Sequence, residues 1–225
     1  MKVLTFKNIC IFYVFSIDNI IFEEYDFTWN ARKKECIMCE NKRKIILFTA
    51  MKLFNERGFH NTPTSLIAKK AKVSVGTLFN YYPTKEQLIL AIYEDIKHHS
   101  KHVYLELIRD YDSFHDKLLS MWTAVIKWAL QNPNEFQYLE LFTHSSFMNL
   151  LKYEQIMGSY TKFRETLIKA ISPDTICLRY PEYSMYYVDN AIHATCNFIL
   201  NNNVEDEDDF IRSTFDLLWF GFSGK

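Results

Sequence analysis

Residues 63–85 set two helices and the start of a third within little more than twenty residues, and that spacing leaves few folds open. Thr62 followed by Pro63 reads as an N-cap with proline at the first helical position. The helix it opens runs through Leu66, Ile67, Ala68 and Ala71. Lys72-Val73-Ser74 makes a turn, and Ser74 is placed to cap a second helix over 75–82. Pro83 stops that helix, because the residue before a proline avoids the α region. Thr84-Lys85-Glu86-Gln87 then opens a longer helix with a capping box from Thr84 to Gln87. Its buried side is Leu88, Ile89, Ile92 and Ile96. Upstream, Ile46, Ala50, Leu53 and Phe54 recur at helical spacing. Gly58 ends that helix as a residue able to take the left-handed conformation. Two short helices joined by a tight turn, with small Ala68 at the close approach, make a helix-turn-helix.

Charge marks the same segment. Residues 42–85 carry nine basic side chains against one acidic one, Glu56, a net +8 in a chain whose formal charge is −1. Such a segment suits a polyanion. The second helix of the unit is the one that enters a DNA major groove, where base edges are distinguishable. Thr77, Asn80 and Tyr81 can hydrogen-bond to bases or phosphates, and Val75 and Phe79 can touch thymine methyls. Lys85 stands at a helix N-terminus, so its charge and the free N–H groups favour one phosphate together. Leu78 and Val73 look inward.

Five glycines and five prolines in 225 residues are too few for a fold with many tight turns, so the expected class is all-α. A hydrophobic content of 48% with 24% charged residues suits a globular core. With so little glycine, phosphate-cradling loops are nearly excluded. No P-loop, G-x-G-x-x-G or G-x-S-x-G occurs, so no enzyme is expected. Cys36 and Cys39 form a lone C-x-x-C without a second pair, and the cysteines read as free thiols of a cytoplasmic protein. No cofactor and no metal are expected. Asp95, His98, His99 and His102 share a helix, and a solvated polar face is the expected reading. Residues 9–17 are apolar but too short to span a bilayer, so no membrane association is expected. Residues 1–37 read as an upstream extension outside the natural product or poorly ordered, with Met38 as the natural start.

Residues 42 to about 96 resemble the DNA-binding domain of the TetR family of bacterial transcription regulators. The match is carried by Leu53-Phe54 with Gly58-Phe59, by Ile67-Ala68, by Val73-Ser74-Val75-Gly76-Thr77-Leu78-Phe79, and by Tyr82-Pro83-Thr84-Lys85-Glu86-Gln87-Leu88. The resemblance implies a dimeric regulator that binds operator DNA and usually represses until a small molecule binds its C-terminal domain. It places DNA contacts on Thr64, Ser65, Val75, Gly76, Thr77, Phe79, Asn80, Tyr81 and Lys85. Two positions depart from the family pattern. Lys72 stands where glycine is frequent, so a non-glycine residue takes the left-handed conformation at a cost of roughly 1 kcal/mol. Val75 stands where a polar or basic residue is common.

The implied organisation is a helix-turn-helix DNA-binding domain over 40–100 (motif 63–82) and a helical ligand-binding and dimerisation domain over 101–225. Helices are expected at 113–131, 133 to about 147, 149–171, 181–201 and 206–220. The acidic run 205–209 precedes the last of these, where negative charge offsets the helix dipole. The last two helices carry apolar residues on more than one side. By resemblance they pair with a second copy as a four-helix bundle, which implies a palindromic operator. The middle helices supply Trp122, Phe142, His144, Phe147, Tyr153, Met157, Tyr160, Tyr186 and His193 as candidate walls for a small hydrophobic or aromatic ligand. Control by a metal or a protein partner is the alternative.

Overall fold

The computed structural model describes residues 33–100, 113–151 and 180–223, and every regular element among them is helical. The first helix, α1 (Lys33–Arg57), begins inside the segment that composition sets apart, while residues 1–32 lie outside the described ones. Its apolar stripe Ile46, Leu47, Ala50, Leu53 and Phe54 is buried, as the helical spacing requires. Gly58 closes α1 at φ +74°, its N–H donating to the Phe54 carbonyl at 2.7 Å.

Thr62 differs from its expected role. It is fully buried, and its hydroxyl lies 2.8 Å from the Gly58 carbonyl and 3.2 Å from that of Leu53. It therefore fastens the end of α1, and Pro63 takes the N-cap position of α2 (Thr64–Lys70) without a side-chain bond. A hydroxyl sealed in the core takes the nearest carbonyls, because an unpaired buried one costs more.

After α2 the chain turns through Lys72 at φ +55°, the left-handed residue the sequence points to. Then follow α3 (Val75–Tyr81) and α4 (Lys85–His99). The larger C-terminal part supplies α5 (Phe114–Gln131), α6 (Pro133–Thr143), a 3-10 helix (Ser146–Leu150), α7 (Pro181–Asn201) and α8 (Glu207–Ser223). The sequence has α6 running to about residue 147, yet it stops at Thr143. There the Thr143 hydroxyl donates to the Leu139 carbonyl at 2.8 Å, and the Ser145 hydroxyl donates to that of Phe142 at 2.6 Å. Such side chains offer the backbone an alternative to the helix ladder. Ser145 then caps the 3-10 helix, which takes up residues 149 and 150. Leu151 ends it in an extended conformation, and residues 152–171 of the helix expected at 149–171 lie outside the described residues. The acidic run does its expected structural work: Asp206 Oδ1 accepts from the Asp209 N–H at 2.9 Å, with Glu207, Asp208 and Asp209 in the first turn of α8.

α6 lies against α1, α4 and α5, and α5 packs on α7 and α8. The two halves share one aromatic seam. Phe54 and Phe59 meet Tyr138, and Phe147 stands edge-on to Phe59 with ring centroids 5.1 Å apart. Tyr138, fully buried, donates its hydroxyl to the Ile89 carbonyl of α4 at 2.8 Å, and Asn55 Nδ2 donates to the Asn134 carbonyl at 2.8 Å. Among the described residues, no helix is long and apolar enough to cross a membrane.

Candidate nucleic-acid interface

The interface is built around α3, whose seven residues VGTLFNY carry no charge. Ser74 starts it, accepting the Thr77 N–H at 3.0 Å. Leu78 anchors it: it is fully buried in the core that holds Ile67, Ala68 and Leu88. Tyr82 is also buried and occupies the C-cap, and Pro83 follows. With Leu78 fixed inward, the helical period turns the opposite face to solvent.

Four of the nine expected contact residues are exposed on α3. Val75, Gly76, Phe79 and Asn80 are exposed, as is Ser65 in the first turn of α2. Thr64, Thr77, Tyr81 and Lys85 are half-buried. The Thr77 hydroxyl lies 2.8 Å from Ser74 Oγ, so part of its bonding capacity is used within the protein. Tyr81 packs partly against the core and beside the Tyr82 ring. Val75 and Phe79 leave 43% and 39% of their surface to water. Gly76 has open space around it: a Cβ there would meet only Ser74 Oγ, at 3.9 Å.

Cations frame the helix. Lys69, Lys70 and Lys72 are exposed at the end of α2 and in the turn. Lys85 sits in the first turn of α4, where Thr84 Oγ1 accepts the Gln87 N–H at 3.1 Å. Its ammonium lies 5.9 Å from the Phe54 ring centroid. Partial burial pulls its pKa down, and the neighbouring Glu86 carboxylate works against that shift.

The candidate ligand residues do not form one group. Trp122 is fully buried and spends its indole N–H on the Ile211 carbonyl at 3.0 Å, beside Phe215. Phe142 is stacked on Tyr93 within the aromatic seam, and Phe147 lies against Phe59 and His60. Tyr186 is exposed, while Tyr153, Met157 and Tyr160 lie outside the described residues. His144 is exposed, with Nδ1 2.8 Å from the Glu140 carbonyl.

His193 is buried against Phe136, and neither ring nitrogen has a hydrogen-bond partner. Burial lowers its pKa to about 4, and His144 pushes the same way. The Glu140 carboxylate, 3.7 Å from Nδ1, would favour the imidazolium, but it is half-exposed and makes no hydrogen bond to the ring, so burial prevails. Sequence reading missed Glu140, although its spacing of four from His144 was visible. It also missed Tyr138, which nothing in the sequence sets apart from other core aromatics. Of the histidine cluster, His99 Nδ1 lies 3.5 Å from Asp95, His102 is outside the described residues, and no three metal-binding side chains converge among those described.

Residues 46–92 match the family of bacterial regulatory proteins known as the tetR family. The chain is 42% identical over 53 residues to the uncharacterised HTH-type transcriptional regulator YuxN of Bacillus subtilis, a stretch covering 24% of this chain and 18% of that relative. The curated relatives it matches are thus matched over a fraction of their length. Solved structures extend the likeness to the whole fold. A TetR-family transcription regulator from Shewanella sp. PV-4 superposes with a TM-score of 0.66 at 22% identity, covering 81% of this chain and 98% of that one. The regulator FadR of Bacillus subtilis, in complex with stearoyl-CoA, gives 0.61 at 17% identity, over 80% and 98%.

Proposed function

We propose, from the premise that this chain carries the DNA-binding domain of the TetR family, that it is a sequence-specific DNA-binding regulator of transcription and not an enzyme. The observation that carries this reading is the disposition of α3: Leu78 is sealed in the core, while Val75, Gly76, Phe79 and Asn80 face water between exposed lysines. A seven-residue helix reads only a few base pairs. A second copy doubles the readout on a palindromic site, with recognition helices about 34–36 Å apart.

The dimer face is proposed on α7 and α8, where Tyr183, Tyr187, Phe198, Leu217 and Phe220 are exposed. An apolar band of this kind marks an interaction surface. The regulator represses until a small hydrophobic or aromatic ligand enters the C-terminal part. The stearoyl-CoA held by FadR, whose fold this chain shares, supports an apolar ligand. His193, with two buried nitrogens that make no hydrogen bond, supports a polar contact at its head. The ligand acts by binding more tightly to a dimer whose α3 helices are wrongly spaced, since only differential affinity shifts the balance.

Gel shifts at graded salt test the reading, using duplexes from the region upstream of the protein's own gene. One fragment should bind far more tightly than the others, with log affinity falling linearly in log salt. A compound that raises the melting temperature should release that fragment. Equal affinity for every duplex would overturn specific readout.

A further inference from the structure

We infer that the steps read by α3 are A·T pairs, with thymine methyls set against Val75 and Phe79 and an adenine against Asn80. The inference rests on the reading that α3 enters the major groove. At about 100° per residue, Gly76 and Asn80 each lie about 160° from buried Leu78, so they form the row that faces deepest into a groove. Val75 and Phe79, one turn apart, form the row beside it. Both rows are exposed.

The chemistry on these rows is selective. Guanine is paired by the forked or charged donors of arginine or lysine, and α3 has neither. Cytosine offers a donor that aspartate or glutamate accepts, and α3 has neither of these either. The Thr77 hydroxyl, which could serve any base and so selects none, spends part of its capacity on Ser74. Thr77 and Tyr81 form the half-buried row on the other side, and the two exposed rows hold an amide, whose donor and acceptor match adenine N7 and N6, and two apolar side chains, which match the thymine 5-methyl group. Val75 and Phe79 are about 6 Å apart along the helix axis, close to two base-pair steps of about 3.4 Å each. Gly76 lies between them on the groove side. With no Cβ and no neighbour of its own to satisfy, it lets the backbone approach the base edges closely enough for these short contacts.

The test starts from a pool of random duplexes enriched on the full chain. Deoxyuridine is then substituted for each thymine of the enriched site in turn. A·T pairs should occupy the steps that lose affinity in Asn80→Ala and Phe79→Ala. Removing a contacted methyl should weaken wild-type binding about three- to fivefold. The same swap should have no effect on Val75→Ala or Phe79→Ala, whichever side chain touched that methyl. Both side chains are exposed, so these variants keep the fold. An enriched site with G·C pairs at those steps, or one indifferent to every methyl, would overturn the inference while leaving major-groove docking intact. No enrichment over bulk duplex would overturn the docking as well.

Discussion

Lys72 and Gly76 stand four residues apart and invert the usual assignment of residue type to backbone. Lys72 takes φ +55° where glycine would be unstrained, and Gly76 sits in a helix with open space around it. The strain at Lys72 is tolerable for a side chain with an unbranched Cβ. Valine there should destabilise the fold by more than 1 kcal/mol, whereas glycine should be near neutral, its relief offset by the entropy it adds to the unfolded chain. Urea denaturation of the two variants checks this. Gly76 has the opposite signature. Gly76→Ala should leave stability unchanged or raise it by up to about 1 kcal/mol, and should weaken specific DNA binding tenfold or more by blocking backbone approach. Melting and gel-shift measurements on one preparation separate the two effects. A loss of stability instead would mean that the glycine serves the fold.

Among elements, α6 is the joint between the helix-turn-helix and the C-terminal helices. Its contact with α4 turns on one buried bond, Tyr138 to the Ile89 carbonyl. Burial pushes the Tyr138 phenol well above its ordinary pKa, so it remains a donor throughout the working pH range. Tyr138→Phe keeps the ring in the aromatic seam and removes the bond. It should cost about 1 kcal/mol, read as a lower urea midpoint with an unchanged slope. His193 joins α7 to α6 and predicts a pH dependence. Its folded pKa is about 4 against an ordinary value of 6.5, so the unfolded chain binds more protons between those values. The stability it supports is full above pH 6.5 and lost as pH falls, about 2 kcal/mol by pH 5. Replacing His193 with glutamine should flatten that part of the stability–pH profile. An equally steep profile in the variant would assign the slope to other groups.

At the scale of the whole molecule, the apolar surface is divided between a sealed interior and an open band. Cys196, Phe215 and Leu218, apolar residues of the last two helices, belong to the chain's own core. The proposed dimer face includes Leu217 and Phe220, which leave 74% and 63% of their surface to water. Leu217→Glu should leave protomer folding within about 0.5 kcal/mol and shift a dimer toward monomer in sedimentation. It should lower affinity for a palindromic duplex while sparing binding to a half-site. A sedimentation profile unchanged from wild type would remove α8 from the interface.

Much of the helix-turn-helix was legible because its signals are local. A hydroxyl before a helix, a proline after one and a positive φ at Lys72 each involve a few neighbouring residues, and the core face follows from the 3.6-residue period. The outward set Val75, Gly76, Phe79 and Asn80 follows from the same period once Leu78 is known to face in. The sequence alone therefore determined the class of fold, the turn and the outward face of α3. Only the tertiary structure decided the rest. It turned Thr62 from a cap into a buried fastener, halted α6 at Thr143, paired Tyr138 with Ile89 and left His193 without a hydrogen bond. These outcomes depend on which groups are deprived of water, and on which distant carbonyl or ring is then within reach. Helical period and capping chemistry carry no record of contacts between residues fifty positions apart.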